Sequence, residues 1–289
     1  VDAAALRALD AKTTVAITAT AMTSISGSFA DVNAVLSSSG VSRSTTADSI
    51  AVTLSGLATV SDVNTLNGIT AVNAITATLS TGDMATLAGL NASSGTAHAY
   101  SISLTDASVA VDALNTLDTK TSVAINATGV TEVTATSAQI DALSTAYASS
   151  GISGLGNEAI TITGGSISVA NANTAAALTS GVVTATLTSG LLSSFASLTE
   201  TGNAYTIALT DVVSVAASDL NTLDGKTTVA VDASSVTAVT GTYADLVAAY
   251  GSAGITGLGN EAVTVSSGTM TVDQANNLAS KTTGVLTGS

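Results

Sequence analysis

The sequence predicts a repeat solenoid: a parallel β-solenoid with a short α-helix in most coils, about eleven coils arranged in a four-coil super-repeat. Three observations carry that expectation. The stretch Ser218–Ala233 (SDLNTLDGKTTVAVDA) recurs at Val111–Ala127 and, more worn, at Asp2–Ile17. Its shared lysines, Lys12, Lys120 and Lys226, set a period of 108 and then 106 residues, too long for one supersecondary unit. The apolar residues are small: 46% of the chain is hydrophobic but only 2% aromatic, with no Trp and no Pro. A deep globular core needs bulky side chains, whereas a coil fills only the narrow space inside itself. Finally, helix-start signals alternate throughout with β-branched runs of period two.

Coils are expected to begin near Asp2, Ser28, Ser61, Ser80, Val111, Thr136, Ala170, Thr188, Ser218, Thr242 and Asp273, spaced by about 19 to 34 residues. They form one continuous array over 1–289, with super-repeats at approximately 1–109, 110–216 and an incomplete 217–289. In the first coil type, Leu114 with Leu117, and Leu220 with Leu223, anchor a short helix. A strand follows in which Val229, Val231 and Ala233 point inward, matched by Val15, Ile17, Ala19 and by Val123, Ile125, Ala127. In the second type, Thr242 with Asp245 and Thr136 with Gln139 have capping-box spacing, and Ser28–Leu36 keeps the arrangement. Leu246, Val247 and Tyr250 share one helical face, and Gly251 and Gly254 suggest a left-handed termination.

The third type runs from Ser61–Leu66 to Thr76–Leu79, and from Asn171–Thr174 to Thr184–Leu187. The fourth carries the aromatic strands Ala99–Asp106 and Ala204–Asp211. The pattern stops near Ser289 in a third-type coil, and Val1 opens on a repeat with neither initiator Met nor signal peptide. The expectation is a processed product or a piece of an array that continues or docks onto another chain.

The strings Ser218–Thr228 (SDLNTLDGKTT) and Gly254–Val265 (GITGLGNEAVTV) resemble the repeats of very large secreted bacterial surface proteins, common in cyanobacterial and other marine bacterial sequences. Such repeats often stand beside calcium-binding nonapeptide modules of the RTX-adhesin type and beside type I secretion. The resemblance covers nearly the whole chain and implies a surface repeat protein rather than an activity. The nonapeptide Gly-Gly-x-Gly-x-Asp itself is missing, so calcium is not carried over from it.

Charged residues make up 9% of the chain, with 20 acids against 6 bases and a net charge of −14. Nucleic acid is therefore not an expected partner, nor is an anionic membrane, since each needs a basic patch. No run of 18 apolar residues predicts membrane insertion. With no cysteine there is neither a disulfide framework nor a thiolate site.

Glu158 and Glu261, with Asp48 in the corresponding place, enter strands directly after loops and are the candidate metal ligands. Periodic acids on one edge of an array offer calcium its oxygen ligands; the plainer reading is a solvated strand edge. No other cofactor is expected. Asp2, Asp112, Asp219, Asp31, Asp141 and Asp245 recur at helix starts, where capping accounts for them. Asp10 with Lys12, Asp118 with Lys120 and Asp224 with Lys226 read as exposed surface pairs. The loop Gly254–Gly259 follows a helix and precedes a strand, the reverse of a phosphate-binding fingerprint, and reads as a turn. His98 is the only histidine; a triad with a serine and Asp106 has nothing to place its nucleophile. Tyr100 and Tyr205, and Tyr147 and Tyr250, sit at equivalent places and read as packing residues rather than a sugar platform.

No catalytic residue is expected, since a polysaccharide-cleaving enzyme would need acids or bases clustered on one coil. The leading expectation is an extracellular or cell-surface structural protein: a self-assembling filament or surface-layer subunit, or an adhesin shaft. It would stack on itself head to tail through open coil ends, with surface glycans as further partners. The alternative is a ligand-binding solenoid, for ice or carbohydrate, using outward threonines such as Thr76 and Thr78, Thr161 and Thr163, and Thr184 and Thr186.

Overall fold

The computed structural model describes residues 1–93, 96–266 and 268–288. Among them, ten α-helices and one 3-10 turn alternate with short strands, the helical segments starting at Ala3, Phe29, Val60, Met84, Val111, Ile140, Val169, Leu192, Ala217, Tyr243 and Val272. Each lies within four residues of a coil start expected from sequence.

The chain divides into two compact units, Val1–Glu132 with Thr145–Leu155, and Val133–Ser144 with Gly156–Ser289. In the first, Ser24–Gly27, Ile50–Ala58, Val72–Leu79 and Ala99–Ser101 form a four-stranded sheet in chain order. Ile17–Ala19 pairs with Val41–Arg43, and Ile125–Asn126 with Ile152–Ser153, as two-stranded sheets. In the second unit, Ala159–Ile167, Val183–Leu187 and Ala204–Thr206 are consecutive neighbours. Ser214–Ala216, Ala238–Gly241, Ala262–Val265 and Leu286–Thr287 form a second sheet, and Val231–Asp232 pairs with Ile255–Thr256. All these pairings are parallel and join each strand to its counterpart in the next strand–helix unit, as in Thr53 to Thr76 to Ala99. The chain is thus an α/β protein of repeating strand–helix units in parallel sheets.

Parallel strands need a crossover, and here the short helix supplies it. Side-chain caps start most of these helices. Asp2 accepts the Ala5 N–H at 2.8 Å, and Ser28 and Thr242 accept from Asp31 and Asp245. Thr59 with Asp62, and Thr271 with Gln274, form full capping boxes. Each such cap contributes about 1 kcal/mol. Ala110 and Ala216 precede their helices without a side-chain cap, and Asp112 and Asp219 stand instead in the first turn.

The second coil of the middle period departs from the expected register. Its helix begins at Ile140, and Gln139 stands where Thr242 stands one period later. Three extra residues have moved Thr136 onto the end of the strand Glu132–Thr136, so its backbone N–H donates to Gln139 Oε1 at 2.7 Å. The termination differs too. Neither Gly251 nor Gly254 is left-handed; the helix Tyr243–Gly251 leaves through Ser252 in extended conformation.

Inward positions are filled by Ile125, Ala127, Val231 and Ala233, all buried, with Asn126 and Asp232 exposed between them. Burying one such large aliphatic is worth about 1.5–3 kcal/mol. Val15 and Val123 do not join this face, because the strands begin only at Ile17 and Ile125. Tyr100 and Tyr205 are buried in the core, and the absence of water pushes the Tyr205 hydroxyl up to about 12, with Glu200 adding to the effect.

Candidate functional site

The predicted calcium candidates lie where the sequence put them, each between a loop and a strand, but their surroundings differ from a solvated edge. Glu158 is 2% exposed and Glu261 1%. The Glu158 carboxylate accepts the N–H groups of Gly156 and Asn157, the former at 2.9 Å. Glu261 accepts those of Gly259 and Asn260, at 2.7 and 3.0 Å, and the hydroxyl of Tyr250. Each carboxylate therefore ties together the glycine-rich turn before its own strand. Burial, then the bond to Glu261, raises the Tyr250 hydroxyl far above its ordinary pKa. Asp48 stands apart, half-buried in a turn with φ of +52°, its N–H donating to the Thr70 carbonyl at 3.0 Å. Among the described residues no group of three or more His, Asp or Glu is gathered to hold a metal ion.

His98 and Asp106 are not brought together as a triad. The His98 ring is fully buried; its Nδ1 accepts the Ile75 N–H at 3.2 Å, and its Nε2 lies 3.1 Å from Asn67 Oδ1. With Nδ1 accepting, the proton sits on Nε2 and the ring is neutral, and burial lowers its pKa. In the next period Asn203 does the same work, its Oδ1 accepting the Val183 N–H at 2.8 Å. Asp106 instead accepts the N–H of Met84, as Asp211 accepts that of Leu192, at 2.8 and 2.7 Å. Both cap the helical segment of the fourth coil.

The remaining buried polar residues are also bound to main chain. The Thr121 hydroxyl accepts the Tyr100 N–H and donates to the Tyr100 carbonyl, both at 2.9 Å. Thr227 repeats this on Tyr205, at 3.0 and 2.8 Å. A side-chain hydroxyl here replaces a strand's backbone, which a buried ladder edge would otherwise lack. Thr282 donates to the Glu261 carbonyl at 2.7 Å.

A third device was hidden from sequence. Asp10, Asp118 and Asp224 do not pair with the lysine two places on. Their carboxylates accept the hydroxyls of Ser38, Ser149 and Ser252, at 2.8, 2.7 and 2.6 Å. The same serines accept the N–H of Gly40, Gly151 and Gly254, each at 3.0 Å. A Ser-x-Gly that follows each Asp-x-Lys, 28, 31 and 28 residues after the aspartate, was the available signal.

Outside, short hydroxyl side chains line up in strand register. Ser26, Thr53 and Thr76 form one exposed rank and Ser166, Thr186 and Thr206 another; Thr240, Thr264 and Thr287 form a third, in which Thr240 is half-buried. Thr161 pairs with Thr184 as the sequence suggests, but a bulge at Gly164 and Gly165 displaces Thr163 and puts Ser166 opposite Thr186. Each unit has a shallow apolar groove beside its helices, at equivalent places in the repeat. Met84, Leu87, Leu117 and Lys120 line one of about 130 Å³, and Leu192, Phe195, Leu223 and Lys226 one of about 110 Å³. Both are smaller than the roughly 300–1,000 Å³ typical of small-molecule pockets.

Compared with family models, with curated proteins and with solved structures, the chain matches none. No helix among the described residues is long and apolar enough to cross a membrane.

Proposed function

We propose that the chain is an extracellular structural repeat protein whose strand–helix units wind as one parallel β-solenoid. It serves as a cell-surface shaft, filament or surface-layer subunit and stacks on itself end to end. One observation supports this above others: among the described residues the eight buried polar ones, His98, Thr121, Glu158, Asn203, Asp211, Thr227, Glu261 and Thr282, each hydrogen-bond to main chain. Groups that would be reactive in an enzyme are used here to hold coils and turns. Electron microscopy of the purified chain tests the reading. Rods that lengthen in steps of one molecule are expected, and compact particles at every concentration would overturn it.

The in-register hydroxyl ranks favour a second reading, a flat binding face for an ordered surface such as ice or a crystalline polysaccharide. Parallel strands space the rank at about 4.8 Å. Thermal hysteresis and cellulose pull-down both read this directly, and neither effect at high concentration would end it.

A further inference from the structure

Asn67 is followed by Gly68, the one Asn–Gly pair in the sequence; every other asparagine precedes a residue with a side chain. The chain's one histidine is bonded to it. His98 Nε2 lies 3.1 Å from Asn67 Oδ1, and Asn67 Nδ2 donates to the Ala92 carbonyl at 3.0 Å. Since Nδ1 accepts the Ile75 N–H, Nε2 is the donor, and the Asn67 amide is held at both ends. The backbone is held as well. Asn67 ends the helix Val60–Asn67, and the Gly68 N–H donates to the Asn64 carbonyl at 3.0 Å.

The next period shows what this arrangement replaces. Asn64 and Asn173 make matching bonds, the first to Gly89 and Asn91, the second to Ser197 and Thr199. That match puts Ala176 and Ala177 in the places of Asn67 and Gly68. There Asn203 stands for His98 and reaches Val183. Asn67 therefore comes with the histidine and gives way with it. Gly68 has no such explanation: its φ is −72°, as at Ala177, and a Cβ on it would meet nothing nearer than 3.4 Å. The backbone here does not call for glycine.

What glycine changes is the chemistry. With no side chain in the way, its nitrogen can swing onto the preceding asparagine's Cγ. The Gly68 nitrogen then bonds to Asn67 Cγ, gives up its proton, and Nδ2 leaves as ammonia, closing a succinimide. Water opens the ring at either carbonyl, to aspartate or to isoaspartate, in which the main chain runs through the side-chain carbon. The net change is amide plus water to carboxylate plus ammonium.

We infer that Asn67 is a deamidation site that the fold keeps closed. His98 and Ala92 hold the carbon that is attacked, and Asn64 holds the nitrogen that attacks it. Gly68 is exposed and Asn67 half-buried, so water reaches the pair once these bonds part. The end of a helix is where such local opening costs least. The product does not close again as before, because a carboxylate at this position only accepts and would face the Ala92 carbonyl, another acceptor. Each modified chain thus carries a permanent mark that this helix end has opened. The inference is independent of whether the chain stacks.

Mass spectrometry of the peptide carrying Asn67 tests this on the full chain, incubated at mildly alkaline pH both folded and unfolded in guanidinium chloride. In the unfolded chain, conversion of amide to carboxylate is expected at Asn67 ahead of every other asparagine, with isoaspartate identified by fragmentation. In the folded chain it is expected to run at least about tenfold more slowly. His98→Asn keeps the bond to Ile75, as Asn203 does to Val183, and drops the one to Asn67. It is expected to speed conversion severalfold in the folded chain and to leave the unfolded rate unchanged. Gly68→Ala, matching Ala177, is expected to keep the fold and nearly abolish conversion in both states, and Asn67→Asp to melt lower than the parent. The folded-to-unfolded ratio of the parent tests the proposal without any variant. No preference for Asn67 in the unfolded chain, equal rates folded and unfolded, or a folded His98→Asn rate equal to the parent's each overturns it.

Discussion

The carboxylate of Asp224 occupies the space that a side chain on Gly254 would need, and the same is true of Asp118 with Gly151 and Asp10 with Gly40. The glycine is required not for a left-handed turn but because an aspartate from the coil's own helix stands against its backbone. Ser252 closes the arrangement by bonding to both. Gly254→Ala is therefore expected to destabilise the chain by about 1–3 kcal/mol, the usual cost of overfilling a packed site. Asp224→Ala alone should cost about 0.5–1.5 kcal/mol for its lost hydrogen bond. Combining the two should cost less than their sum, because the second removes what the first collides with. Urea melts of the three variants measure this, and strict additivity would refute the contact.

Thr227 supports Tyr205 through one hydroxyl that both donates and accepts. Thr227→Val keeps the shape and strips both bonds, leaving a buried N–H and carbonyl unpaired. The expected loss is about 1–3 kcal/mol, while Thr227→Ser, which keeps the hydroxyl, should lose markedly less. The same ordering is expected at Thr121.

His98 gives the chain one pH-dependent element. Burial holds its pKa below the unfolded value near 6.5, so the folded state prefers the neutral ring. Its contribution is complete above about pH 6.5 and is lost as the pH falls from there through the folded pKa, because the unfolded chain binds the proton more readily. His98→Asn should fold, since Asn203 performs the same task, and should flatten the melting temperature between pH 7.5 and roughly 5 relative to the parent. Parallel curves for the two proteins would show that the ring is not held neutral.

Chelation is expected to leave the melting temperature unchanged, because the carboxylates of Glu158 and Glu261 are already taken up by backbone N–H groups. Glu261→Gln, by contrast, replaces one accepting oxygen with a donor facing donors and should cost about 1–3 kcal/mol. A fall in melting temperature with a chelator, restored by calcium, would revive those glutamates as ligands.

Local signals made the helices legible. Ser28, Thr242 and Asp2 cap as their spacing suggests, and Leu114, Leu117, Leu220 and Leu223 are buried as the helical period requires. The shifted helix at Ile140 was not legible, because Thr136-Ser137-Ala138-Gln139 has the spacing of a capping box whether Thr136 begins a helix or ends a strand. Burial of Glu158 and Glu261 was also hidden. A glutamate after a glycine-rich loop looks like an exposed edge until the chain folds back and its own turn supplies the donors. Likewise the bond of Asp118 to Ser149 spans 31 residues, and only the pairing of successive strand–helix units brings its ends together.

In each unit, asparagines on the helices join one strand–helix repeat to the next: Asn64 donates to the Gly89 carbonyl, Asn173 to Ser197 and Asn221 to Asp245. In every case the acceptor is a peptide group, which any residue supplies. A coil inserted or removed by unequal recombination would meet the same peptide groups on its new neighbour, with no matching side chain to be acquired first. Such wiring lets an array gain or lose length in a single genetic event while each junction remains satisfied.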